Sequence, residues 1–115
     1  MKTARINLDK YRSEDKTRHI KAKVFTGRDR GQQVREKSRI DELETSNDRI
    51  IIEVPNDIYS INPSFFEELF FNVVRKLRKE AFLEKFTIES KGDYDFQSEL
   101  LEAIDRILND ATAIG

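Results

Sequence analysis

The chain has 115 residues, 37% hydrophobic and 37% charged, the material of one small domain with a highly polar surface. Its 21 Lys+Arg and 22 Asp+Glu give a net charge of -1, so no whole-molecule field draws it to nucleic acid or to anionic lipid. With no Cys and a single His, disulfides, thiolate nucleophiles, Cys-based zinc sites and multi-histidine metal sites are excluded, and neither metal nor cofactor is expected. No apolar run reaches the roughly 20 residues of a membrane span, and the start MKTARINLDK lacks the apolar core of a signal peptide. The expectation is a cytoplasmic chain, a single domain over residues 1–115, with no membrane association.

Charge is unevenly placed. Residues 1–40 hold 13 Lys+Arg and 5 Asp+Glu, a net of +8, and residues 41–115 hold 8 and 17, a net of -9. Such a division marks either a basic arm for nucleic acid or two halves that attract each other within one domain, and the second reading takes precedence.

In chain order, residues 4–8 (ARINL) and 20–25 (IKAKVF) alternate polar and apolar around a charged, turn-prone stretch, which predicts a hairpin-like pair of strands. Single His19 falls at the edge of the second strand, where an exposed imidazole is expected. Gly27 and Gly31 bracket GRDRG, a turn followed by a helix over 32–46 with few apolar positions and hence largely exposed. GRDRG has the glycines of a phosphate loop without its Lys-Ser/Thr pair, so Arg28 and Arg30 are only candidate anion-binding residues.

Residues 49–54 (RIIIEV) carry three consecutive isoleucines, which predicts a central strand covered on both faces. After Pro55, Asn56 and Asp57, the apolar residues Phe65, Phe66, Leu69, Phe70, Val73, Val74 and Leu77 follow helical spacing and predict one core helix. Its far side, Arg75, Lys76, Arg78, Lys79 and Glu80, is expected to face water. Phe71 lies off the stripe, where it can reach a partner. FTIES (86–90) predicts another strand, and Phe96, Leu100, Leu101, Ile104, Ile107 and Leu108 predict a second amphipathic helix. The resulting order is ββαβαβα, an α/β domain whose strand–helix alternation implies a mostly parallel sheet.

No catalytic constellation emerges from the spacing, and the chain is read as not an enzyme. The informative place is the turn DIYSINPSFFEE. If Asn62 is the helix N-cap, Pro63 sits at N1 and Ser64 at N2, with its hydroxyl free of capping. If Ser64 is the N-cap, Glu67 completes a capping box. Both arrangements remain open at this level.

From Phe25 to about Ser90, in the stretches FTGRDRGQQVRE, RIIIEVPNDIYSINPSFFEELFFNVV and FLEKFTIES, the sequence resembles the STAS-like domain family of unknown function, related by name to sulfate-transporter and anti-sigma-factor-antagonist domains. Asn62-Pro63-Ser64-Phe65 replaces the serine doublet typical of that family, so only the second serine is retained. The resemblance implies a small sheet with helices mainly on one face and a role in protein–protein switching. In the antagonist branch, a serine at this turn is phosphorylated by a histidine-kinase-like ATPase, and Ser64 matches that position. The implied partner is therefore a protein such as that ATPase, contacted through Asn62, Pro63, Glu67, Glu68 and Phe71 on the turn and flank of the 62–80 helix. A second copy of the chain is another open partner. The alternative function is a nucleic-acid-associated accessory protein using residues 1–40.

Overall fold

The isoleucine run is the middle strand of a three-stranded parallel sheet in the computed structural model, which describes residues 1–114, with side chains through Asn109. The predicted domain limit at Gly115 lies outside the described residues. The elements are β1 (Thr3–Asn7), a 3-10 turn (Leu8–Tyr11), β2 (Glu14–Asp15), β3 (Ile20–Lys21), β4 (Val24–Phe25), α1 (Arg28–Ser38) and α2 (Ile40–Ser46). They continue with β5 (Arg49–Val54), β6 (Ser60–Ile61), α3 (Pro63–Leu69), α4 (Phe71–Lys85), β7 (Phe86–Ser90) and α5 (Gln97–Ile114). The sheet order is β1-β5-β7, so the architecture is α/β with a central parallel sheet.

Pairing in the first 25 residues differs from the predicted hairpin. β1 lies parallel to β5, with Ile6 opposite Ile52, while β3 pairs antiparallel with β2, and β4 pairs parallel with β6. The predicted 20–25 strand is also split at Ala22 and Lys23 into two short strands, with Ile20 exposed, so its alternation marks no single buried face; at residues 4–8 it does, and there the partner is chosen by where that face finds cover. Ile6 and Leu8 find it against the isoleucines, and Phe25 finds it against Phe65, ring centroids 5.0 Å apart.

β5 is covered on one face only, not on both. Ile50, Ile52 and Val54 are fully buried, whereas Ile51 and Glu53 belong to the opposite face and are half-buried. There Ile51 is flanked by its register partners Arg5 and Thr87, and Arg5 donates to Glu53 at 3.0 Å and to Glu89 at 3.4 Å. A lateral ion ladder across three strands thus takes the place of a second helical layer.

The predicted core helix exists in three pieces with a common buried side. Phe65, Phe66, Leu69, Phe70, Val73 and Val74 are all buried, but the helix bends at Phe70 (φ -99°, ψ 8°) and breaks again at Arg78 (φ 68°, ψ 174°). The second break has a packing reason. Carried on at 3.6 residues per turn, Phe82 would stand about 160° from Phe66, on the water side. The interruption brings it fully inside, against Phe70 at 5.1 Å and Phe86 at 4.6 Å. A chain of rings therefore runs Phe25, Phe65, Phe66, Phe70, then Phe82 and Phe86, from β4 to β7.

The 32–46 helix is likewise two helices, α1 and α2, joined by Arg39 in the left-handed region (φ 58°, ψ 39°). That turn lets Ile40 and Glu44 reach the interior, so this stretch is less exposed than its sparse apolar pattern predicts. Phe96 takes φ 58° immediately before α5 and is fully buried, which makes it an anchor of the helix entry instead of its first turn. Among the described residues no helix is long and apolar enough to cross a membrane.

Candidate functional site

Asn62 is the N-cap of α3. Its Oδ1 accepts from the Ser64 backbone N–H at 2.9 Å and from the Ser64 hydroxyl at 2.9 Å, with Pro63 in the first turn where its missing donor costs nothing. Of the two arrangements open in the sequence, the structure has the one in which Ser64 does not cap. Ser64 itself is half-buried. The loop leading to this cap is held by Arg12, whose guanidinium grips both oxygens of Asp57 at 3.0 and 2.7 Å and also donates to Asp9 and to the Ala22 carbonyl. The Arg12 hydrogen bonds hold the Asp57 carboxyl below its ordinary value.

Glu67 requires a correction. It was a candidate partner contact, yet it is 3% exposed and meets this chain's own arginines. Arg28 of α1 lies 3.1 Å from Oε1, and Arg106 of α5 lies 3.8 Å from Oε2, so one carboxylate joins three helices. A carboxylate removed from water stays charged only where such partners replace the lost solvation. Glu68 is half-buried: Arg28 reaches its side chain at 3.4 Å, and Arg35 donates to its backbone carbonyl at 2.7 Å. Arg28, a candidate anion-binding residue, therefore already holds two anions of its own chain.

α1 approaches α3 closely because of Gly31. A Cβ there would lie 2.5 Å from the Phe65 carbonyl oxygen and 2.8 Å from the Glu68 Cβ. This glycine serves helix contact, not the turn predicted for it; Gly27, at φ 87°, is the turn residue that precedes α1. Arg28, Gly31 and Arg35 fall at i, i+3 and i+7, one stripe of α1 facing α3. The other arginine of the pair, Arg30, lies off that stripe and donates to the Ser13 hydroxyl. Phe71 is half-buried under the Arg75 guanidinium, 5.2 Å from its ring centroid, and Pro63 is half-buried beside exposed Asn62. His19 is exposed, at φ 56° in the turn before β3.

A second buried carboxylate, Glu44, is absent from the sequence reading. It is 3% exposed and receives Lys76 and Lys85, each at 2.7 Å. The available signal was its place four residues after Ile40, on the buried side of α2. Burial pushes the carboxyl up, but hydrogen bonds from Lys76 and Lys85 and their charges outweigh it, leaving the group below its ordinary value of about 4.5. A depressed folded-state value means that the pair stabilises the fold above about pH 4.5 and that this contribution is lost as pH falls through the lowered value. Urea denaturation of native protein and Glu44→Gln is expected to show a smaller loss of stability over that acid range in the variant. Parallel pH curves would mean the ion pairs carry no linkage.

These features form a charged junction of α1, α3 and α5 below the Asn62-capped turn that carries Ser64. Among the described residues no group of three or more His, Asp or Glu is placed to hold a metal ion. The family model for a STAS-like domain of unknown function matches residues 30–95, from α1 through β7 to the turn before α5. No curated protein and no solved structure matches the chain. The matched stretch holds the central strand, the Asn62 cap, Ser64 and the α1–α3 seam in more than half of the chain, which therefore belongs to the family of STAS-like domains of unknown function.

Proposed function

We propose that the chain is a non-enzymatic interaction module whose partner binding is switched by phosphorylation of Ser64, the modifying partner being a histidine-kinase-like ATPase. The observation that carries this reading is the separation of duties at the turn. Asn62 caps α3, so Ser64 is not required for the cap, and Ser64 shares a helical face with Glu67 and Glu68 at i+3 and i+4. A phosphate there adds about -1.5 to -2 charge and removes the hydroxyl's hydrogen bond to Asn62. It also competes with Glu67 and Glu68 for Arg28, whose side chain is 57% exposed and can swing. Losing Arg28 leaves Glu67 with Arg106 alone, and the α1–α3–α5 junction becomes the element whose arrangement the modification biases.

A nucleic-acid role for residues 1–40 has less support. Arg5, Arg12, Arg28 and Arg35 each commit their charge to carboxylates within the chain, which accounts for much of the basic excess.

The test is calorimetry with the cognate ATPase. Ser64→Asp is expected to remain folded by circular dichroism while binding at least ten-fold more weakly, and Ser64→Ala is expected to bind as the native chain does. Equal binding by all three would reduce Ser64 to a structural residue of the α3 entry.

A further inference from the structure

Most cations outside the internal ion pairs stand apart from one another, but three of them share one concavity. Lys10, Arg30 and Lys37 line one cleft of about 170 Å³ between the 3-10 turn and α1. Among the described residues none of the three has a carboxylate partner within ion-pair distance, and Arg30 donates only to the neutral Ser13 hydroxyl. Tyr11 and Gln33 bring uncharged donors to the same walls, no acidic side chain among the described residues lines the cleft, and Val34, 1% exposed, gives it an apolar floor. Arg12, also at the wall, is already neutralised by Asp57 and Asp9 and serves to hold the turn in place.

The placement follows from helix geometry. Arg30, Gln33, Val34 and Lys37 fall at i, i+3, i+4 and i+7, a second stripe of α1, separate from the Arg28–Gly31–Arg35 stripe that grips α3. One helix therefore uses one stripe for intramolecular anions and presents the other, equally basic, to a concavity. Three cations gathered without a counter-charge repel one another, and an anion placed among them relieves that repulsion even though Lys10 and Lys37 are exposed.

We propose that this cleft binds a small phosphate-bearing anion, with Lys10, Arg30 and Lys37 neutralising its charge and Tyr11 and Gln33 donating to its oxygens. A divalent, many-oxygen group matches three cations and two further donors better than a single carboxylate does. Size limits the remainder of the ligand: about 170 Å³ is below the roughly 300–1,000 Å³ of pockets that enclose drug-sized molecules, so the cleft suits inorganic phosphate, pyrophosphate or a short phosphomonoester, not a whole nucleotide. This site is independent of the Ser64 reading and stands or falls apart from it.

The experiment is amide NMR of the full chain titrated with inorganic phosphate, pyrophosphate and glycerol phosphate at constant ionic strength, with thermal melts alongside. Saturable shifts at Tyr11, Gln33 and Lys37 are expected, with a melting temperature that rises with ligand concentration, since a ligand of the folded state alone stabilises it. Tighter binding of glycerol phosphate than of the inorganic ions assigns an organic source, and the reverse assigns an inorganic one. The Lys10→Gln/Lys37→Gln double variant, which alters exposed side chains only, should fold normally and bind at least ten-fold more weakly, while Lys16→Gln, a surface control in the β2–β3 turn, should match the native chain. Shifts that spread over the lysine-bearing surface without saturating, or affinity equal in the double variant and the control, would overturn the site. So would a duplex oligonucleotide that binds more tightly than all three anions through the same residues, because that result would assign the cleft to nucleic acid.

Discussion

Phe70→Ala is expected to destabilise the protein by about 3–5 kcal/mol, the range for deleting an enclosed aromatic side chain. Phe70 is fully buried and its ring meets three others, Phe66 at 5.5 Å, Phe82 at 5.1 Å and Phe86 at 5.8 Å. It also occupies the bend between α3 and α4, where its N–H donates to the Phe66 carbonyl and its own carbonyl accepts from Val74. The cavity left by alanine therefore lies between three elements, α3, α4 and β7, that are each pinned by other contacts and can collapse into it only partly. Equilibrium denaturation in urea with an unchanged slope is the measurement. A loss below about 1 kcal/mol would mean that the neighbouring rings repack, contrary to the cavity argument.

Gly31→Ala is expected to be destabilising even though alanine is the better helix former. Alanine recovers roughly 0.8–1 kcal/mol of intrinsic propensity in mid-helix. Against that, its Cβ would stand 2.5 Å from the Phe65 carbonyl oxygen and 2.8 Å from the Glu68 Cβ. The first of these is backbone and cannot rotate away, so α1 must move off α3, at the roughly 1–3 kcal/mol typical of overpacking. The same movement stretches Arg28–Glu67 and the Arg35 bond to the Glu68 carbonyl, which couples the substitution to its charged neighbours. Denaturation of Gly31→Ala, Arg35→Gln and the double variant is expected to give non-additive losses, because the two changes act on one seam. A stabilised Gly31→Ala protein would show that the helices have room to part.

The aromatic and aliphatic spacing of residues 65–77 reported their buried side correctly, because one period survives small bends as long as each helical piece keeps the same face inward. It could not report the breaks. Nothing local at Arg78 or Arg39 announces a positive φ, and both conformations exist because Phe82 and Ile40 gain burial on their far sides. At residues 4–8 the alternation marks the buried face but not the partner strand, whereas at 20–25 it marks neither, since the run splits into two short strands and Ile20 is exposed. At the candidate site, the choice between Asn62 and Ser64 as cap was undecided in the sequence because both residues are good caps and the spacing allows either.

By itself the amino-acid sequence determined the α/β class, the central isoleucine strand, the buried stripe that follows it, the position of Ser64 at the helix entry and the likeness to STAS-like domains. These depend on periodicity, turn chemistry and motif order, all of which are local properties of the chain. Only the tertiary structure decided which charges are already used. Glu67 became a buried tie between three helices, Glu44 the acceptor of two lysines, Arg28 an internal partner and Arg30 one wall of a basic cleft. Arg28 and Arg30, two residues apart on one helix, face different surfaces because two helical steps of about 100° put them about 200° apart. Whether a charge is paired or open depends on what the fold brings across from distant residues, and that information is held in no single stretch of sequence.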